Sequence, residues 1–395
     1  MIRLLIYLFP LALDMVLGTL FFVCSLRMAE SGASALAVSM VCIAWALTYA
    51  ITSFLAGRLV KPGNLVRYAV GSCLALAVLS GLFILLPGLR TQYVLLVGSG
   101  IAIALFYTPF QAFMKAVMSG TKWTLNVSTG LYTAAWSTGM ALGPFVSGFL
   151  WQHFNWQVCH LVNAAAALGC AWGVYRLRHY AVDSPSAVAA AVTSSVPEEP
   201  ENRALPDLAL VGWLCGGIGF LIVAAIRAVY PTLATALGIG KVEQGTMFAL
   251  LFGTQAATGL ALGFFRKWLY RLEIPVWSTL IGAGGLLLLG FGRGGWYFFP
   301  AALLIGLYLG MCCDYFVFHS LVHPCRSTRN VAVNETIVGV TGILGPLGGG
   351  LLGDAFGLSM PFLAASVLAG AAILLQWRWY AQRMKRDVAA ILFQT

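Results

Sequence analysis

The chain has 395 residues, is 60% hydrophobic and only 9% charged, and carries a net charge of +10. A soluble globular chain holds roughly 25% charged residues, so most of this one does not face water, which excludes an ordinary soluble enzyme or binding domain. The positive charges lie in short clusters between apolar runs, a topology signal rather than a basic groove for nucleic acid.

Apolar runs of about 20 residues recur, each long enough to cross a bilayer as a helix. In lipid the backbone must satisfy its own hydrogen bonds, which leaves helices or a closed barrel. The runs are continuous rather than alternating, so helices are expected. Twelve spans follow in chain order: 4–26, 34–56, 67–87, 92–114, 126–150, 156–177, 208–230, 244–264, 274–292, 297–320, 331–353 and 358–380. The first begins like a signal peptide. It lacks a small-residue cleavage site and holds Asp14 in mid-run, so it reads as a retained span. The largest polar break, Arg178 to Asp207, is rich in Ser, Pro, Ala and Glu and reads as a flexible linker. The expected organisation is a six-helix bundle over 1–177, a cytoplasmic linker over 178–207, a second six-helix bundle over 208–380 and a cytoplasmic tail over 381–395.

Lys and Arg counts set the orientation. With both termini in the cytoplasm, eighteen of the 23 basic residues fall on the inner side. Four fall outside (Arg27, Arg90, Lys241 and Arg293), and Arg227 lies within a span. Most of the nine cysteines sit singly in apolar runs without a C-x-x-C pair, as small core residues do. The five histidines show no metal-ligand spacing, and the Gly-rich stretches lack a P-loop ending.

The phrase Gly139-Met-Ala-Leu-Gly143-Pro144-Phe-Val-Ser147-Gly148 recurs as Gly342-Ile-Leu-Gly345-Pro346-Leu-Gly-Gly-Gly350. The two Gly-Pro pairs are 202 residues apart, each in the fifth span of its half. Both halves start on the same side, so the repeats are parallel, related by an axis along the membrane normal. With these features the whole chain resembles the major facilitator superfamily. The first phrase is similar to the fifth-span motif of its drug/proton antiporter branch, with Ser147 in place of one glycine. The loop Gly57-Arg58-Leu-Val-Lys61-Pro-Gly63 resembles the family's loop between spans two and three, but Lys61 stands where the family has an aspartate that braces the cytoplasmic gate. Glu335, near the start of the eleventh span, either answers Lys61 or Arg58 in a swapped gate or merely caps its own helix.

Few polar groups lie inside the spans, and chemistry falls to them. Asp14 sits about ten residues into its helix, roughly 15 Å deep at about 1.5 Å per residue, near the middle of the bilayer. A carboxylate there costs at least about 2.5–3.5 kcal/mol and usually faces a working cavity. Removal from water disfavours its charged form, giving a group able to load and release protons. The alternative is a structural hydrogen bond between helices. Asp314, in the tenth span, is a second proton-coupling candidate, or else a helix-end residue hydrated from the cytoplasm. Arg227 either holds an anionic group of the substrate or snorkels to the outer headgroups. Depth arithmetic sets it roughly 15 Å outward of Asp14. Gln255, Tyr107, Tyr132 and Trp136 are candidate cavity residues, as is Tyr49, on helices that line the cavity in the family. Gly57, Arg58, Lys61, Gly139, Gly143, Pro144, Glu335, Gly345 and Pro346 are candidates for gating.

The resemblance implies an all-α membrane protein of twelve helices in two pseudo-symmetric bundles, a monomer in a bacterial inner membrane. It implies alternating access for a small organic solute, coupled to protons, with export suggested by the Gly-Pro phrase. Uptake or uniport of an organic acid or sugar is the alternative; a transporter-derived sensor or assembly protein is the reading from another class. No cofactor, metal, catalysis or nucleic acid is expected; the partners are the solute, protons and the bilayer.

Overall fold

The computed structural model describes residues 2–59, 62–118, 125–178, 207–265, 267–322 and 327–392. Among these residues there are twelve α-helices and no strand. In the first half they are α1 (Leu8–Glu30), α2 (Ala35–Leu59), α3 (Leu65–Leu85), α4 (Leu89–Met118), α5 (Leu125–His153) and α6 (Trp156–Arg176). In the second they are α7 (Ala209–Ala236), α8 (Lys241–Phe264), α9 (Glu273–Phe291), α10 (Gly295–Leu321), α11 (Ser327–Phe356) and α12 (Met360–Leu392). All twelve expected spans are therefore helices. α12 continues to Leu392, through most of the segment expected as a tail. The expected linker falls, over 179–206, outside the described residues.

Among the described residues, eleven helices are long and apolar enough to cross a membrane on length and composition. α5 is the one that falls short. Thr133, Ser137, Thr138 and Ser147 dilute its apolar content, and it is tolerated because it packs inside the bundle, against α1 and α8. A helix whose polar groups find partners among other helices does not have to be lipid-compatible all round.

The two Gly-Pro phrases explain the packing. A Cβ at Gly143 would lie 2.5 Å from the Met15 carbonyl oxygen and 2.7 Å from the Thr19 nitrogen, so α5 rests directly on the α1 backbone. Gly345 does the same to α7, facing the Leu221 carbonyl oxygen and the Ala225 nitrogen. Met15 matches Leu221, and Thr19 matches Ala225, at a spacing of 206 rather than 202. A few residues further along, the same helices meet the opposite half. A Cβ at Gly148 would lie 2.5 Å from the Lys241 carbonyl oxygen of α8, and one at Gly350 would lie 2.7 Å from Ser39 Oγ of α2. Each phrase thus serves two seams, one within its half and one between halves.

The halves are clasped at the end of the bundle away from the termini. Lys241 Nζ pairs with Glu30 Oε1 at 2.5 Å. Asp354, at the end of α11, accepts from the first amides of α2, Ala35 N at 2.7 Å and Leu36 N at 3.2 Å. Gln152, at the end of α5, accepts from Val242 N at the start of α8, at 3.1 Å. Gln152 and Asp354 are themselves 202 residues apart. Helix N-termini leave amides without partners inside the helix. Here each half supplies the cap for the other.

Candidate functional site

Asp14 is buried on α1 at the α1–α5 seam. Gly139 faces it, because any Cβ there would run into the Leu11 carbonyl oxygen and lie 2.9 Å from the Asp14 Cβ. The Tyr107 hydroxyl of α4 donates a short hydrogen bond to Asp14 Oδ2. The seam is stitched further along. Thr19 Oγ1 donates to the Gly143 carbonyl at 3.3 Å, and Ser147 Oγ donates to Thr19 Oγ1 at 2.9 Å. Asn163 of α6 donates to the Val16 carbonyl at 3.3 Å. The serine that departs from the antiporter phrase therefore has its own partner, a hydrogen bond that glycine would not make.

Across the molecular axis lies Arg227 of α7. It is deep in the bundle yet only half-buried. Its Nε is sealed from solvent and meets no hydrogen-bond acceptor. Its guanidinium carbon lies 5.0 Å over the Phe21 ring. At the 206 spacing Phe21 is the counterpart of Arg227, so a residue and its pseudo-symmetric mate touch at the axis. Asp14 has Phe220 as counterpart, which confines the carboxyl to one half. The Arg227 charge acts electrostatically on both Asp14 and Cys42. The guanidinium stays at the level of Phe21, and no ion pair within 4 Å joins Arg227 to Asp14 among the described residues.

Aromatic side chains fill the wall between these charges. Phe21 meets Trp45 edge-on at 5.2 Å, and Trp45 stacks on Tyr49 at 4.7 Å. The Trp45 indole N–H is buried without an acceptor. Tyr49, Tyr107 and Tyr132 lie within electrostatic range of one another, with Asp14 and Glu335 near the set. Asp14, Tyr107, Tyr132 and Arg227 are thus brought together from α1, α4, α5 and α7. Phe21 and Trp45 join them although nothing in the sequence singled them out.

The other candidates lie elsewhere. Asp314 of α10 meets the Thr133 hydroxyl of α5 beside Gly259, a contact between the halves. Gln255 is buried and donates to Cys313 Sγ at 3.5 Å, gluing α8 to α10. Trp136 is half-buried against the core. Gly57 lies on α2, while Lys61 and the Arg58 side chain fall outside the described residues, and with them the expected gate contact to Glu335. Among the described residues no cluster of His, Cys, Asp and Glu is placed to hold a metal.

Residues 4–324 match the sequence profile of the Major Facilitator Superfamily. Two solved structures are similar over almost the whole chain. The human organic anion transporter MFSD10 (TETRAN) has a TM-score of 0.62 at 16% identity, covering 95% of this chain and 97% of its own. A bacterial homolog of the human lysosomal transporter Spinster, in an inward-facing and occupied conformation, has a TM-score of 0.67 at 14% identity, covering 97% of each. No curated protein sequence matches the chain. With the profile spanning most of the sequence and twelve helices in two parallel pseudo-symmetric bundles, the chain belongs to the major facilitator superfamily.

Proposed function

We propose that this transporter moves a small organic solute by alternating access and couples that movement to protons through Asp14. The observation that supports this is a buried carboxyl on α1, hydrogen-bonded to Tyr107 and within electrostatic range of Arg227. A proton can bias the two conformations only if it binds them with different affinity. Opening the cavity to alternate sides changes the water around Asp14 and so supplies that difference. The proposed partners are the solute, protons and the bilayer. The proposed setting is a bacterial inner membrane with both termini cytoplasmic, supported by the excess of basic residues in the loops on the terminal side.

The direction of cargo follows from whether proton and solute compete for the cavity or share it. Competition gives exchange, and with an inward proton gradient it gives export, the direction suggested by the Gly-Pro phrase. Sharing gives uptake with protons, the reading favoured by the position of Arg227. The coupling itself is tested in proteoliposomes with an imposed pH gradient. Asp14→Asn is expected to abolish gradient-driven movement while leaving exchange at equal pH. Retained gradient-driven movement in Asp14→Asn would remove the proposal.

A further inference from the structure

Arg227 is the feature that the proton-coupled reading leaves unused. A cation inside a membrane bundle is expensive and normally paired. Among the described residues its guanidinium makes no hydrogen bond and no ion pair, its Nε is buried without a partner, and it lies over the face of Phe21. Asp14 is turned to Tyr107 instead. Guanidinium is a planar fork of donors matched to carboxylate. On the other side of Phe21 is a second unanswered donor, the Trp45 indole N–H, its ring edge-on to Phe21 and stacked on Tyr49. Two buried donors without acceptors and a flat apolar wall describe the complement of their occupant.

We propose that the central cavity takes an organic anion with a flat apolar body, its carboxylate held by Arg227, and that a proton on Asp14 strengthens this hold, so that proton and anion cross together. The proposal rests on the coupling role of Asp14. Tyr107 of α4 is bonded to Asp14; within electrostatic range of Asp14 are Tyr49 of α2 and Arg227 of α7, with Tyr132 of α5 and Glu335 of α11 in range of Tyr49 and Cys42 of α2 in range of Arg227. Arg227 is the cation in this set. With Asp14 ionised, part of its field is spent on that carboxylate. With Asp14 protonated, the full field meets the incoming anion. Linkage is reciprocal, so a bound anion also holds the proton more firmly. A positive linkage of this sign makes co-transport, whereas export by exchange requires the opposite sign.

The test uses the purified full chain with 2-naphthoate as probe, its amide 2-naphthamide as uncharged isostere and 2-naphthylmethylamine as the cation of similar shape. Binding is read by thermal shift and tryptophan fluorescence at pH 6 and pH 8. The wild type is expected to bind naphthoate roughly tenfold more tightly at pH 6 than at pH 8, within the usual 5- to 150-fold range of coupling, and to bind neither amide nor amine comparably. Arg227→Met is expected to lose naphthoate binding by tenfold or more while melting no lower than the wild type, since it removes an unpaired buried charge. Arg227→Lys should keep part of it. Asp14→Asn should bind at both pH values as the wild type does at pH 6. Tighter binding of the amine, naphthoate binding indifferent to Arg227→Met, stronger binding at pH 8, or no naphthoate binding to the folded wild type each overturns the proposal. Failure here with loss of gradient-driven transport in Asp14→Asn leaves the coupling intact. Naphthoate binding that still follows pH in Asp14→Asn removes Asp14 from both.

Discussion

Asp14 and Arg227 stood out in the sequence because a charge in an apolar run has few excuses. Their relation did not, since depth arithmetic counts backbone rise along one helix and does not show that Arg227 lies over Phe21 of the other half. Phe21 and Trp45 were not legible at all. Aromatic residues are common in membrane helices, and only the fold tells a ring on the axis from one in lipid. Tyr107 is where the site can be probed most gently. A hydrogen bond to a charged group is worth roughly 1.5–3 kcal/mol. Tyr107→Phe is therefore expected to lower the melting temperature modestly and to lower gradient-driven flux by about tenfold or more, the flux measured in the same proteoliposomes as Asp14→Asn.

The helices matched their expected spans to within a few residues at most ends, but α4, α11 and α12 run on past the apolar core. Hydropathy reports where lipid stops, and a helix does not have to stop there. α5 shows the converse, a true element of the bundle whose composition alone is too polar to qualify. Its Gly-Pro phrase first looked like a mark of direction. In the structure both copies do the same mechanical work, seating the fifth helix of a half on its first helix and on the other half. Gly143→Val should therefore destabilise by about 1–3 kcal/mol, the usual range for overpacking, because the neighbour is backbone and cannot yield. Ser147→Ala should cost only about 0.6 kcal/mol, the average for a hydrogen bond between membrane helices. Thermal unfolding in detergent separates the two.

For the whole molecule, the duplication was legible from one repeated phrase, and the 202 spacing also carried Gln152 and Asp354, the two caps that pass between halves. Their meaning was hidden because a cap needs the partner helix start, which only the fold supplies. α1 and α7 align at 206, since the loops of the two halves differ in length, so the axis pair of Phe21 and Arg227 could not be read from the phrase alone. The clasped end must open for the cavity to reach that side. Caps of this kind contribute typically about 1 kcal/mol each, so Asp354→Ala combined with Gln152→Ala should shift the population toward the opposite opening, read as faster thiol labelling of Cys42 from that side. Conversely, a Cβ at Gly353 would lie 3.0 Å from that of Ala35. Ala35→Cys with Gly353→Cys, in a background free of other cysteines, should form a cross-link that stops transport and is reversed by reductant.

The contact between Phe21 and Arg227 has a consequence for rebuilding the protein from its parts. A homodimer of first halves would set Phe21 against Phe21, with two carboxyls and no cation. A homodimer of second halves would set Arg227 against Arg227, two like charges on one axis with no acid to relieve them. Neither assembly contains the cavity, however well its seams close. Only unlike halves, whether fused or co-expressed, bring Phe21 and Arg227 together.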